Sequence, residues 1–185
     1  MQQKDEALRA QGRLTRAAAR YYYKLLANKD EFEVARLYST PEFRRQLESQ
    51  FEGAYKLHFH LGAWPFARRD AQGQLRKREI GPWMLRAMGM LQHMRRARGT
   101  WLDPFRNTPE RRFANELLAR YEADLELVLA RATHGSVEAA VELASLPEKI
   151  RGYGHVREAH AAKVDAQRAA LRERLTQPEF DRAAA

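Results

Sequence analysis

The chain of 185 residues contains no cysteine. This absence excludes a disulfide framework, a thiolate nucleophile, a zinc site with cysteine ligands and an iron–sulfur cluster ligated by this chain. Long apolar runs are missing too, since no stretch reaches the ~18 residues that a membrane span requires. The opening residues, MQQKDEALRAQGR, are charged where a secretory signal needs an apolar segment. We therefore expect a cytoplasmic protein without a membrane partner.

Short catalytic motifs are also absent. The sequence has no GxxxxGK[ST] loop, no GxGxxG before a helix and no GxSxG elbow. His58 and His60 share a strand face, but a metal site needs three or four ligands and no third ligand is evident nearby, so an exposed polar face with Lys56 is the favoured interpretation. We therefore assign no catalytic residue, no cofactor-binding residue and no metal ligand.

The composition is that of a globular protein, with 44% hydrophobic and 31% charged residues. Leu14, Ala18, Tyr21 and Leu25 recur at helical spacing, whereas AYKLHFHL alternates apolar and polar residues as a strand does. These patterns predict a mainly α fold, a single helical domain over residues 1–185 with a small antiparallel β element. Its predicted parts are helices over 1–53, a strand over about 54–61, a hairpin over about 66–80, a helical bundle over 82–177 and a frayed tail over 178–185.

The net charge of +9 is concentrated locally. Residues 67–98 hold nine basic and two acidic side chains, a net charge of +7. Such a field indicates either an anionic partner or a solvated face. A basic helical module that binds nucleic acid or another anionic partner is thus the alternative function. The sequence carries no nucleic-acid-binding signature, so nucleic acid is not the favoured partner.

One segment, IRGYGHVRE, has the features of an anion site. Gly152 and Gly154 permit a tight turn, and His155 opens the last predicted helix, which runs to about Gln177. Arg151 and Arg157 add positive charge beside the unpaired N–H groups of a helix N-terminus. A helix–helix corner that needs glycine at positive φ explains the same residues without a ligand, so both interpretations stay open.

Three stretches resemble the C-terminal domain of the fused indolepyruvate:ferredoxin oxidoreductases, a family of 2-oxoacid:acceptor oxidoreductases. They are YYYKLLANKDEFEVARLYS, FEGAYKLHFHLGAWPFARRDAQGQLRKREIGPWM and LPEKIRGYGHVREAH. Their order and spacing match as well, over about Ala19 to Glu173. Arg157 stands where that family often has lysine.

The resemblance implies a parent enzyme that converts arylpyruvates and coenzyme A to acyl-CoA. Electrons then pass to ferredoxin through thiamine diphosphate and iron–sulfur clusters. This chain lacks cysteine and the GDG motif for thiamine diphosphate, so we expect no cofactor in it and no catalysis by it alone. The implied partners are the parent's catalytic domains, a second copy in a homodimer and, indirectly, ferredoxin.

Overall fold

The structure, a computed structural model, describes residues 1–27, 30–61, 68–69, 75–76 and 78–177. For residues 68–69 and 75–76 it describes the backbone only. Contacts divide the chain into two compact units. The terminal unit comprises Met1–Asn28 and Arg112–Ala185, and the central unit comprises Lys29–Arg111. The expectation of one domain over residues 1–185 stays a prediction, because a compact unit of contacts is not by itself a domain.

The predicted fold class is confirmed, since the chain is mainly helical and carries a small antiparallel sheet. None of the described helices combines the length and apolar character needed to cross a membrane. Short 3₁₀ turns occupy Met94–Ala97, His134–Ser136 and Leu146–Lys149. The α-helices are α1 (Gln2–Ala7), α2 (Arg13–Leu26), α3 (Glu31–Ser39), α4 (Pro41–Gln50), α5 (Trp83–His93), α6 (Pro109–Arg131), α7 (Val137–Ser145) and α8 (His155–Thr176).

The β element is smaller than the sequence predicts. Its strands are β1 (Phe59–Leu61), β2 (Arg68–Arg69), β3 (Leu75–Arg76) and β4 (Arg78–Ile80). β1 pairs with β4 and β2 pairs with β3, both antiparallel. The strand predicted over 54–61 therefore begins only at Phe59.

The short ladder has a simple cause. Phe59 pairs with Ile80 at the end of β4, and Gly81 and Pro82 then lead into α5. Proline has no N–H to extend a ladder, so residues before Phe59 find no partner on β4. The turn predicted within the hairpin and the tail over 178–185 lie outside the described residues.

The terminal unit buries an extensive apolar core. Leu14 on α2, Val128 on α6 and Leu143 on α7 are completely buried within one cluster. Tyr121 also belongs to it, and its hydroxyl donates to the Ala144 carbonyl at 2.8 Å. Burial raises the pKa of Tyr121, since the phenolate would lie in an apolar environment.

A buried ion pair links α6 to α8 in this core. Asp124 accepts from Arg168 Nε at 2.7 Å and from Arg168 Nη2 at 2.8 Å, and Arg172 also donates to it. Asp124 lies in register with Leu117, Tyr121 and Val128 on the buried stripe of α6. This geometry satisfies the carboxylate, which explains how an acidic residue fits in the core.

The central unit has a smaller core. Phe59 and Ile80 from the sheet pack with Met84 and Met88 from α5 and with Ala35 from α3. The sequence places four methionines on α5 and just after it, and the structure divides them. Met84 and Met88 are buried, whereas Met90 and Met94 are 70% and 43% exposed.

Asp103 organises the loop before α6. Its buried carboxylate accepts from the N–H of Gly99 and of Phe105, each at 2.9 Å, and from Arg111 Nη1 at 2.6 Å. Arg111 also reaches Glu31 on α3 at 3.1 Å. One buried carboxylate thus fixes a segment that has little regular secondary structure.

Candidate functional site

The predicted glycine corner is present between the 3₁₀ turn Leu146–Lys149 and α8. Gly152 has a φ of +87° and Gly154 a φ of +52°, which confirms the expectation of positive φ. A Cβ on Gly152 would lie 2.7 Å from Val156 Cγ1. Backbone conformation and close packing therefore both require glycine at position 152.

Hydrogen bonds across the turn hold the corner closed. His160 Nδ1 lies 2.8 Å from the Arg151 carbonyl oxygen, and Arg151 Nε donates to the Glu148 carbonyl at 3.2 Å. The turn therefore directs the Arg151 side chain back over the preceding 3₁₀ turn, where it binds a backbone carbonyl.

Two side chains of α2, both missed by sequence reasoning, complete the site. Lys24 Nζ donates to the Pro147 carbonyl at 2.6 Å and to the Glu148 carbonyl at 3.2 Å. The Tyr21 hydroxyl donates to Glu148 Oε2 at 2.9 Å. Their spacing of three residues places both on one helix face, but no pattern in the sequence links that face to residues 147–148.

We call this site the basic corner: Lys24, Arg151, His155 and Arg157 around the Gly152–Gly154 turn. Burial lowers the pKa of the Lys24 ammonium, and the charges of Arg151 and Arg157 lower it further. Burial also lowers the pKa of Arg157. The Lys24 shift therefore includes repulsion from Arg151 and Arg157, which a bound anion would relieve. Glu148 offsets part of this repulsion at Lys24.

The arrangement is suited to holding an acidic group. Arg151 and His155 are exposed and Arg157 is half-buried, so cations are accessible beside the first turn of α8. Arginine side chains bind carboxylate and phosphate oxygens by charge-assisted hydrogen bonds. The glycines themselves are explained by the turn, so the ligand hypothesis depends on the cations alone.

The histidine pair of the β element does not form a metal site in the described part of the chain. His58 Nδ1 lies 2.6 Å from Glu79 Oε1, an ion-pair geometry when the imidazole is protonated. No group of three or more potential metal ligands occurs among the described residues. A lone histidine–carboxylate contact provides too few ligands for a stable site.

The basic side chains of residues 67–98 are exposed wherever they are described. Arg78, Arg86, Arg95 and Arg96 all lie at the surface. The side chains of Arg68, Arg69 and Arg76 lie outside the described part. Arg98 forms an ion pair with Asp30.

Comparison with known proteins identifies a family. Residues 1–170 match the model of a family of unknown function (DUF6537). Because the match covers most of the chain, this protein belongs to that family. No curated protein and no solved structure matches the chain.

Proposed function

We propose that this chain is an accessory domain of an indolepyruvate-type 2-oxoacid:ferredoxin oxidoreductase. In this proposal the basic corner contacts the catalytic domains of the parent enzyme. The parent reaction is the oxidative decarboxylation of an arylpyruvate to an acyl-CoA, with electrons passed to ferredoxin.

One observation carries the proposal: two of the three stretches that carry the resemblance meet at the basic corner. Tyr21 and Lys24 belong to the first stretch, and they bind Pro147 and Glu148 of the third at 2.6–3.2 Å. Segments more than 100 residues apart along the chain thus build one surface. This convergence is what a shared contact surface requires.

The redox chemistry belongs to other domains in this proposal. Iron–sulfur clusters need cysteine thiolates, and the chain has none. The GDG motif for thiamine diphosphate is also absent from the sequence. The residues of this chain therefore fit neither an iron–sulfur cluster nor thiamine diphosphate. In this proposal the chain contributes a surface that binds the catalytic domains.

The first test is an activity assay on the purified chain. We expect no reduction of a dye acceptor when the chain receives indolepyruvate, coenzyme A and thiamine diphosphate. Turnover by the chain alone would contradict an accessory role. The neighbouring coding sequence gives an independent check, since we expect a GDG motif and a cysteine-rich ferredoxin motif upstream.

Coenzyme A is a second ligand for the corner within the same proposal. Its phosphates suit a helix N-terminus with a flanking arginine. Arg151→Ala and His155→Ala then weaken coenzyme A binding by the full enzyme and leave its melting temperature nearly unchanged. An unchanged affinity in both variants would leave only the contact with the catalytic domains.

A further inference from the structure

A basic cleft lies in the central unit, where α3 packs against α5. The cleft has a volume of about 490 Å³ and is lined by Arg36, Gln92, His93, Arg95 and Arg96. Every lining side chain is polar, and three of the five are arginines. This surface is distinct from the basic corner, which belongs to the terminal unit.

A second cleft of about 320 Å³ adjoins the first and shares Gln92 with it. It brings two further arginines, Arg44 from α4 and Arg86 from α5, to the same side of α5. Its lining residues are Ser39, Arg44, Pro82, Leu85, Arg86, Gly89 and Gln92. We call the two clefts together the α3–α5 groove, which follows α5, a helix of 11 residues and about 16 Å at 1.5 Å per residue.

The charge of the groove is only partly neutralised. Arg36 donates to both carboxylate oxygens of Glu33, with Nε at 3.0 and 2.9 Å. The hydrogen bonds from Arg36 lower the pKa of Glu33, and the charges of Arg95 and Arg98 act in the same direction. Within the described ranges, no carboxylate lies at ion-pair distance from the other groove arginines, which are Arg44, Arg86, Arg95 and Arg96.

Gly89 provides an independent observation. It lies inside α5, where glycine destabilises a helix relative to alanine. A Cβ at this position would meet no atom within 4 Å, so packing does not require glycine. Gly89 lines the second cleft, where a bulky side chain would project into the groove.

We propose that the α3–α5 groove binds a small ligand that carries two or more phosphate groups. Arginine matches phosphate oxygens with paired hydrogen bonds, and the two clefts each have a volume within the range of ligand sites, roughly 300–1,000 Å³. Cations line both clefts, so one phosphate in each satisfies the charge better than a single phosphate. This proposal is independent of the accessory role, because it concerns the other unit.

Calorimetric titration of the 185-residue chain tests the proposal with three probes: orthophosphate, pyrophosphate and tripolyphosphate. We expect the two condensed phosphates to bind about tenfold more tightly than orthophosphate, because they offer more charge and more acceptor oxygens to the groove arginines. Absence of binding by all three probes at millimolar concentration and low salt would overturn the proposal.

Matched variants separate a built site from diffuse charge. Arg96→Gln and Arg86→Gln should each weaken pyrophosphate binding about tenfold, whereas Arg106→Gln removes an exposed arginine outside the groove and should change it less than about twofold. Equal losses in all three variants would contradict the proposal.

Gly89 gives a test that leaves the charge unchanged. Gly89→Leu should reduce pyrophosphate affinity about tenfold by filling the groove, whereas Gly89→Ala should raise the melting temperature and retain most of the affinity. Wild-type affinity in a folded Gly89→Leu variant would contradict the proposal. If that variant does not fold, the arginine variants decide.

A single-stranded oligonucleotide distinguishes a small ligand from nucleic acid. We expect it to bind no more tightly than tripolyphosphate. Binding about tenfold tighter, lost in Arg96→Gln and falling with salt at a slope of about −0.7 per phosphate contacted, would make the groove a nucleic-acid surface and overturn the small-ligand proposal.

Discussion

The two compact units differ in how they combine apolar burial with charge. Among the described residues, the apolar cluster of the terminal unit has twenty buried members and that of the central unit has five. Buried apolar area is the dominant source of folding free energy. The terminal unit should therefore carry most of the stability, and the central unit should depend more on its polar contacts.

The largest expected effect is in the core of the terminal unit. Leu143→Ala removes a completely buried side chain and should lower the free energy of unfolding by about 3 kcal/mol. Urea denaturation followed by circular dichroism measures this change. Leu102→Ala, at a position 53% exposed in the central unit, is the control and should cost less than about 1 kcal/mol. A loss below about 1 kcal/mol in Leu143→Ala would contradict the assigned core.

The next effect concerns Asp103 in the central unit. Its hydrogen bonds and its ion pair with Arg111 hold the loop before α6 in place. Asp103→Asn keeps the shape but loses the charge that holds Arg111, and should cost about 2 kcal/mol at pH 7. Asp165→Asn removes an exposed carboxylate 3.5 Å from Arg120 and should cost less than about 0.5 kcal/mol. Equal losses in the two variants would show that Asp103 has no special role.

The cost of Asp103→Asn should depend on pH. Burial raises the pKa of Asp103, but the N–H groups of Gly99 and Phe105 and the charge of Arg111 outweigh it, so the net pKa is lowered. A lowered carboxyl pKa stabilises the fold above the unfolded-state value, about 3.9, and this stability is lost as pH falls through the folded-state pKa. The difference between wild type and Asp103→Asn should therefore shrink towards pH 2, and a difference independent of pH would contradict the lowered pKa.

A smaller effect is expected at the basic corner. Gly152→Ala places a side chain at positive φ and 2.7 Å from Val156 Cγ1, and should cost about 1–2 kcal/mol. Val156→Ala removes the contact with Cγ1 but leaves the Cβ of residue 156 at 3.1 Å and the backbone strain. In the Val156→Ala background, Gly152→Ala should therefore cost less stability than it costs in the wild type, but the cost should not disappear. Full recovery would show that packing alone requires Gly152.

Local features of the fold were predictable from the sequence. α6 begins at Pro109, α8 begins at His155, and both corner glycines have positive φ. Each of these features depends on residues within one or two turns of the chain. Asp124 was also accessible to this reasoning, because it lies in register with the apolar positions of α6.

The sites themselves were only partly predictable, because distant segments build them. Lys24 joins the basic corner across more than 100 residues, and no local pattern links the two. Arg36 and Arg96 meet in the groove for the same reason. The late start of β1 at Phe59 likewise depends on its partner, since β4 stops before Pro82.

The central claim is that the basic corner of the terminal unit binds the catalytic domains, and a binding measurement tests it most directly. The chain and the neighbouring oxidoreductase polypeptide are produced separately, and their affinity is measured for the wild-type chain, for Arg151→Glu and for Lys163→Glu. Lys163→Glu is the control, because it reverses an exposed cation on α8, outside the basic corner. We expect Arg151→Glu to weaken association about tenfold or more and Lys163→Glu to change it less than about twofold. No association with the wild-type chain, or equal effects of the two variants, would contradict the account.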